Sequence, residues 1–299
     1  MHLRSAVLLA SLALAPVAYA QQIAFTFDDL PSHGPLPEGD TRLQITQSIL
    51  ETLKQQHMPS TYGFVNGVHL VTDPTSAEVL KAWTAAGQPL GNHTYSHPNL
   101  ASMTSEAFEQ EIEKNEPILK QCAGDSDWHW LRFPFLSEGD TLEKRRAVRA
   151  WLTAHDYKIA EVNMSFGDYL WNPPYARCVA KHDDAGIKQL HDLYLAAADD
   201  AIAPTRALSK EVYGRDIPYV LLMHIGAFDA KMLPELIPLY RSRGFSLVSL
   251  PEAEKDPAYS DDADIAPGNG TELDELATKR KLPIPAQHSY SKQLDDICK

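Results

Sequence analysis

The chain has 299 residues, 44% of them hydrophobic and 22% charged, proportions of a globular protein that buries a substantial core in one large domain or two modest ones. Its formal net charge is −13. Phosphate backbones and anionic membranes repel such a protein, so nucleic acid is not an expected partner.

The first segment in chain order stands apart from the rest. Arg4, the apolar run AVLLASLALA and the small-x-small pattern Ala18-Tyr19-Ala20 read as a secretory signal peptide over residues 1–20. The mature chain would then begin near Gln21, carry a net charge of −14 because Arg4 is lost, and be exported, periplasmic or extracellular. No later run is long and apolar enough to span a bilayer. Export permits disulfides. The cysteines are Cys122, Cys178 and Cys298, an odd number without zinc-ligand spacing, so one bridge and one free thiol are expected, with the pairing open.

From residue 23 onward, short apolar runs alternate with longer amphipathic ones. IAFTF (23–27), STYGFV (60–65), WLRFPF (130–135), YKIAEVNM (157–164), PYVLLMHI (218–225) and FSLVSL (245–250) predict strands, being rich in β-branched and aromatic residues. Residues 41–57, 76–86, 104–121, 140–155, 183–203 and 230–243 carry apolar positions at helical spacing, for example Ile45, Ile49 and Leu53. Thr104 marks a helix start, and Gly87 and Gly244 mark helix stops. Such alternation predicts an α/β fold of parallel strands with crossover helices, whose chemistry gathers at the strands' C-terminal ends. Residues 21–252 form this domain. Beyond 252 the chain turns acidic and rich in Asp, Pro and Gly, and 253–299 reads as a tail packed on the domain.

Several polar residues stand at strand ends. AFTFDD closes the first strand with adjacent carboxylates, Asp28 and Asp29. Like charges there repel, so either the pair sits in a solvated turn or something nearby needs both; side-chain alternation along an extended chain would aim them apart. GNHTYSH holds His93 and His97 at i, i+4, spacing that puts two imidazoles on one side of a helical turn. With one carboxylate they complete the three protein ligands of an open metal site. LRFPF places Arg132 in an apolar strand, where a carboxylate from the first strand is its natural partner. VLLMH ends a strand on His224, and FGDYLWN offers Asp168 to accept the other ring proton of such a histidine.

In this order TFDD, HTYSH, RFPF and LLMH resemble motifs of the polysaccharide deacetylase family (the NodB-homology domain, carbohydrate esterase family 4), over residues 23 to about 250. The resemblance implies an irregular, distorted (β/α) barrel with a divalent metal ion, zinc by ligand type with cobalt or nickel also accommodated. It implies Asp28 as catalytic base, Asp29, His93 and His97 as metal ligands, Arg132 bracing Asp28, His224 as acid and Asp168 orienting it. Phe135 would offer a backbone N–H to the developing oxyanion, and Leu222 would contact the acetyl methyl. The fourth motif departs from the family's Asp-x-x-Asp-Trp: SFGDY puts Ser165 and Tyr169 at the first Asp and the Trp. Tyr169 is then expected to wall the acyl pocket, with Trp171 partly substituting.

The implied reaction is metal-dependent removal of N-acetyl groups from an amino-sugar polymer or oligomer such as peptidoglycan, a chitin-type chain or poly-N-acetylglucosamine. An O-acetyl esterase using the same groups, or a catalytically idle carbohydrate-binding protein, are the alternatives. The loop DLPSHGPLPEGDTR (29–42) would line the cleft; His33 within it is either a substrate contact or a surface residue.

Overall fold

The computed structural model describes residues 21–31, 33–268 and 270–299; the expected signal peptide lies outside them. Among the described residues seven parallel strands form one sheet: β1 (Gln21–Leu30), β2 (Gly63–Val65), β3 (Leu90–Asn92), β4 (Trp130–Leu131), β5 (Lys158–Ile159), β6 (Tyr219–His224) and β7 (Phe245–Leu247). Their order is β5-β4-β3-β2-β1-β6. β7 pairs with Gln21–Ile23 and β2 with Phe27–Leu30 of β1, while β6 pairs along Ile23–Asp28. Past β5 the chain runs on to Met164, which bridges Leu221 of β6. That bridge joins the two sheet edges into the irregular (β/α) barrel, and every strand delivers its C-terminal end to one face.

Alternation along β1 sets two core layers. Ile23, Phe25 and Phe27 point outward into the large cluster shared with the surrounding helices, including Ile45, Ile49, Leu53 and Trp83. Ala24 points inward and packs with Phe64, Trp130, Val220 and Leu250. Thr26 and Asp28 continue the inward row toward the open end, so the barrel's apolar floor gives way to polar groups where the strands stop. The helices begin on side-chain caps: Thr41 with a reciprocal Gln44, Thr104 accepting from the Ala107 N–H, and Thr141 accepting from Lys144. Gly87 and Gly244 follow helix ends with φ of 79° and 85°, the left-handed geometry that stops a helix at little cost in glycine.

Several elements differ from the sequence expectation. The run 183–203 is two helices, Asp184–Asp200 and Ile202–Tyr213. A helix at Asn172–Ala180 begins with prolines in its first turn, where a missing N–H costs nothing although the letters suggest a loop. The strand expected over 130–135 pairs only at Trp130–Leu131. The tail contains a helix, Glu272–Arg280, started by a Thr271–Asp274 capping box.

That last helix docks on Ile202–Tyr213 through Leu273, Leu276 and Ala277 against Leu208 and Val212. Two arginines of the helix Leu142–Ala154 hold the same segment. Arg145, 1% exposed, pairs with Asp262, Glu272 and Glu275, and Arg149 with Glu138, Glu161 and Glu272. A disulfide joins Cys178 to Cys298 and leaves Cys122 free, which settles the pairing the sequence left open.

Candidate active site

β1 carries the two carboxylates to the open end of the barrel and there stops being extended. Asp28 is 3% exposed, stands opposite His224 in the β1–β6 register, and accepts a hydrogen bond from Arg132 Nη1 at 3.1 Å. The Arg132 side chain crosses the barrel interior above the Phe64 ring, 4.7 Å from its centroid. It donates also to Thr26 Oγ1 (3.1 Å) and to the Ala160 carbonyl (2.6 Å). A buried guanidinium is tolerated because each nitrogen has an acceptor. Asp29 has φ of 65°, a left-handed conformation that aspartate adopts more readily than most residues. The two carboxylates therefore diverge through a backbone kink at Asp29, and simple strand alternation does not account for it.

His93 and His97 converge on Asp29. Their Nε2 atoms lie 3.5 and 3.4 Å from Asp29 Oδ1, near the edge of about 3.3 Å that two ligands at ~2.0–2.1 Å subtend around a tetrahedral cation. The three donors fit a divalent metal ion and leave a coordination position open. The i, i+4 histidines do not sit on a helical turn. Thr94 and His97 have φ of 65° and 57°, and the loop is pinned to the helix Ser105–Cys122 by Tyr95 N–H to the Glu111 carbonyl and Ser96 N–H to the Glu111 carboxylate. His93 Nδ1 lies 2.7 Å from the Arg132 carbonyl; donating there turns the Nε2 lone pair toward Asp29. Burial raises the Asp29 pKa, but the His33 hydrogen bond and the surrounding imidazoles prevail and hold it well below the usual range. Burial and the neighbouring His93 bring His97 down to about 4. Near neutral pH both are therefore in their ligand forms.

On the opposite flank, Asp168 is fully buried and grips His224 twice, by the ring Nδ1 (3.0 Å) and the backbone N–H (2.6 Å). Burial alone would lower the His224 pKa. The Asp168 charge and hydrogen bond, aided by Asp29 and Asp28, raise it to about 10. Behind this pair, Asn172 donates to Asp229 Oδ2 and accepts from the Phe228 N–H, and the Tyr194 hydroxyl donates to Asp229 Oδ1. A Cβ at Gly226 would collide with Asn172 and Asp229, so this close approach requires glycine.

The remaining expected residues fall differently. Phe135, with φ of 60° and 64% exposed, lays its ring 4.5 Å from that of His97. Tyr169 is exposed and lies 5.2 Å, centroid to centroid, from His224. Leu222 is buried one inward step below His224. Trp171 is a correction: it is fully buried, donates to the Leu190 carbonyl and packs against Phe166, Tyr194 and Tyr290. It is core and has no face to offer an acyl group, so Tyr169 stands alone there.

His33, left open by the sequence, is drawn into the site. Its Nδ1 is 2.6 Å from Asp29 Oδ2, and its ring is 4.7 Å from that of His224. Sequence reading also missed the asparagines beneath the histidine loop. Asn66 donates to the His93 and Thr94 carbonyls, and Asn115 donates to Asn92 Oδ1 and the Val65 carbonyl. One signal was available: Asn115 falls on the buried stripe Phe108, Ile112, Leu119, where an unpaired amide would be costly.

A parallel barrel with a two-histidine, one-carboxylate donor set flanked by an arginine-held aspartate and an aspartate-held histidine makes a hydrolase-type site whose donors fit a divalent ion. The chain belongs to the polysaccharide deacetylase family: residues 18–153 match the family described as Polysaccharide deacetylase. The chain is 30% identical over 242 residues to a chitooligosaccharide deacetylase of Rhizobium leguminosarum bv. trifolii, covering 78% of this chain and 91% of the relative. It is 31% identical over 148 residues to a peptidoglycan-N-acetylglucosamine deacetylase of Bacillus cereus, covering 50% of this chain and 46% of that one, so it spans about half the length of that relative. The fold matches the solved chitin deacetylase of Colletotrichum lindemuthianum with a TM-score of 0.56 at 21% identity, over 79% of this chain and 88% of that one.

Proposed function

We propose that this protein is an exported, metal-dependent deacetylase that removes N-acetyl groups from an amino-sugar polymer or oligomer. One observation carries the reading: Asp28 and His224, side by side on β1 and β6, flank the donors Asp29, His93 and His97. A base, an acid and a cation site thus converge on one point. The relatives' names favour acetylated amino sugars, and the leader-like first twenty residues favour export.

Asp29, His93 and His97 would hold the cation, zinc by its donor set, which would supply Lewis acidity to a water and to the acetyl carbonyl. Asp28 accepts the proton of the attacking water, and the Arg132 hydrogen bond aims that carboxylate. His224, an imidazolium near neutral pH, donates to the leaving nitrogen, which is too basic to depart as an anion. Asp168 holds the ring so that Nε2 carries the transferable proton. The products are acetate and a free amine on the sugar.

The test is acetate release, read by mass spectrometry, from N-acetylated and O-acetylated glycans by metal-loaded and chelated protein. Metal-dependent loss of acetyl from nitrogen is the expected result. Turnover of esters alone would replace this reading with an esterase. No turnover by the loaded protein would leave carbohydrate binding.

A further inference from the structure

A cavity of about 500 Å³ adjoins the site and is walled on one side by the C-terminal segment. Phe135 belongs both to the site, where its ring meets His97, and to the rim of this cavity. Ser165, Phe166 and Gly167 line it as well, and Gly167 immediately precedes Asp168. The cavity is thus a lateral extension of the cleft. Thr205 and Leu208 from the helix Ile202–Tyr213 also line it, and the facing wall comes from residues 270–291. That wall lies outside residues 18–153, which match the family.

We propose that segment 270–291 completes a glycan subsite, which holds a sugar unit of the acetylated chain other than the one being deacetylated. This rests on the deacetylase reading above and extends it to chain length. The volume lies in the range of ligand sites, about 300–1,000 Å³. The lining has the mixed chemistry a pyranose requires. Exposed Phe135 and Ile284 offer apolar surface to a ring face. Gln287, His288 and Ser289 offer amide, imidazole and hydroxyl groups to its hydroxyls. Among the described residues no arginine or lysine lines the cavity, which favours a neutral sugar over a phosphate or carboxylate ligand. The wall is held in place rather than merely draped: the Tyr290 hydroxyl donates to Asp200, Thr271 and Asp274 cap the tail helix, and Cys298 is bonded to Cys178.

The test compares kcat/KM for N-acetylglucosamine oligomers of two and of four or more units. It uses the parent chain, the exposed double variant Gln287→Ala/His288→Ala, and Ser289→Trp, which fills the cavity. The ratio of long- to short-oligomer kcat/KM is expected to fall about tenfold in both variants, the effect of losing one modest set of contacts, and to do so through KM. Binding of the N-acetylglucosamine tetramer to Asp28→Asn protein, with and without these changes, reads the subsite without catalysis and should weaken by a similar factor. An unchanged ratio together with unchanged tetramer binding would overturn the subsite. If the parent deacetylates no glycan, the deacetylase reading fails, while tetramer binding still decides the groove.

Discussion

His33 Nδ1 lies 2.6 Å from Asp29 Oδ2, while Asp29 Oδ1 faces His93 and His97 at 3.5 and 3.4 Å. One carboxylate is thereby divided: one oxygen is occupied by the loop after β1 and the other is presented to the donor cluster. Such outer hydrogen bonds fix the orientation of a metal ligand and typically contribute 10–100-fold in affinity. His33→Ala should weaken metal binding by about that factor without changing the far-ultraviolet circular dichroism. A chelator competition titration measures it, and an affinity equal to the parent's would leave His33 without this role.

The two adjacent aspartates should separate under mutation. Asp28 contacts Arg132, and Asp29 the histidines. Asp28→Asn keeps an acceptor for the buried guanidinium, so the protein should fold and hold its metal while turnover drops roughly 10²–10⁴-fold with loss of the base. Asp29→Asn should lose metal affinity first. Metal content by elemental analysis, set beside kcat, distinguishes them; equal metal loss in both would refute the division.

The pH profile follows from His224. Its pKa is raised to about 10, with burial opposing and Asp168 favouring the charged form. In the proposed mechanism His224 acts in its protonated form, so activity should fall as pH rises through the His224 pKa. Asp168→Asn removes the stabilising charge and should move that descending limb to lower pH by about one to three units. Rate profiles of kcat/KM in the two proteins check this, and coincident descending limbs would mean Asp168 does not set the His224 charge.

The Cys178–Cys298 bond closes a separation of 120 residues and ties the chain's end to the helix Asn172–Ala180. Loop-entropy reasoning puts such a bond at about 2–5 kcal/mol. Cys298→Ser should lower the denaturant midpoint by a corresponding amount. Arg145→Met should be harmful in a different way, leaving Glu272 and Glu275 without one of their cations at a largely buried site. Urea transitions of each variant give the measurement; midpoints equal to the parent's would show the tail to be held by its apolar contacts alone.

What the sequence revealed follows from which signals are local. Strand–helix alternation, the helix at Thr104 and the stops at Gly87 and Gly244 depend on residues a few positions apart, and the structure agrees with them. The polar strand ends were legible because a polar side chain in an apolar run is conspicuous, as with Arg132 and His224. The diverging carboxylates and histidines depend instead on left-handed backbone at Asp29, Thr94 and His97, which no periodicity encodes. His33 was ambiguous for the same reason: its partner is fixed by a loop. Trp171 misled because its position in the motif suggested a pocket, whereas the turn at 168–171 directs it toward Tyr194 and Tyr290. Helix Glu272–Arg280 escaped because its apolar stripe is only Leu273, Leu276 and Ala277, visible as a face only once Leu208 and Val212 stand opposite.

The burial of Trp171 sharpens the last prediction. With that indole in the core, Tyr169 is the exposed aromatic beside His224, at 5.2 Å, and it also faces His33 at 6.3 Å. A tyrosine covers less apolar surface than an indole, so a pocket walled by Tyr169 should discriminate weakly between acetyl and propionyl groups. Missing apolar contact of this size amounts to about 1–3 kcal/mol. The chain should therefore be active with relaxed acyl selectivity, and Tyr169→Trp should raise the acetyl preference by roughly tenfold, through transition-state binding. Ser165→Asp should change it less, because Asp168 already bonds His224 through both carboxylate oxygens. The measurement is kcat/KM on paired N-acetyl and N-propionyl glucosamine oligomers in the three proteins. A Tyr169→Trp protein with the parent's selectivity would place the acyl group away from Tyr169, with Leu222 as the remaining apolar contact.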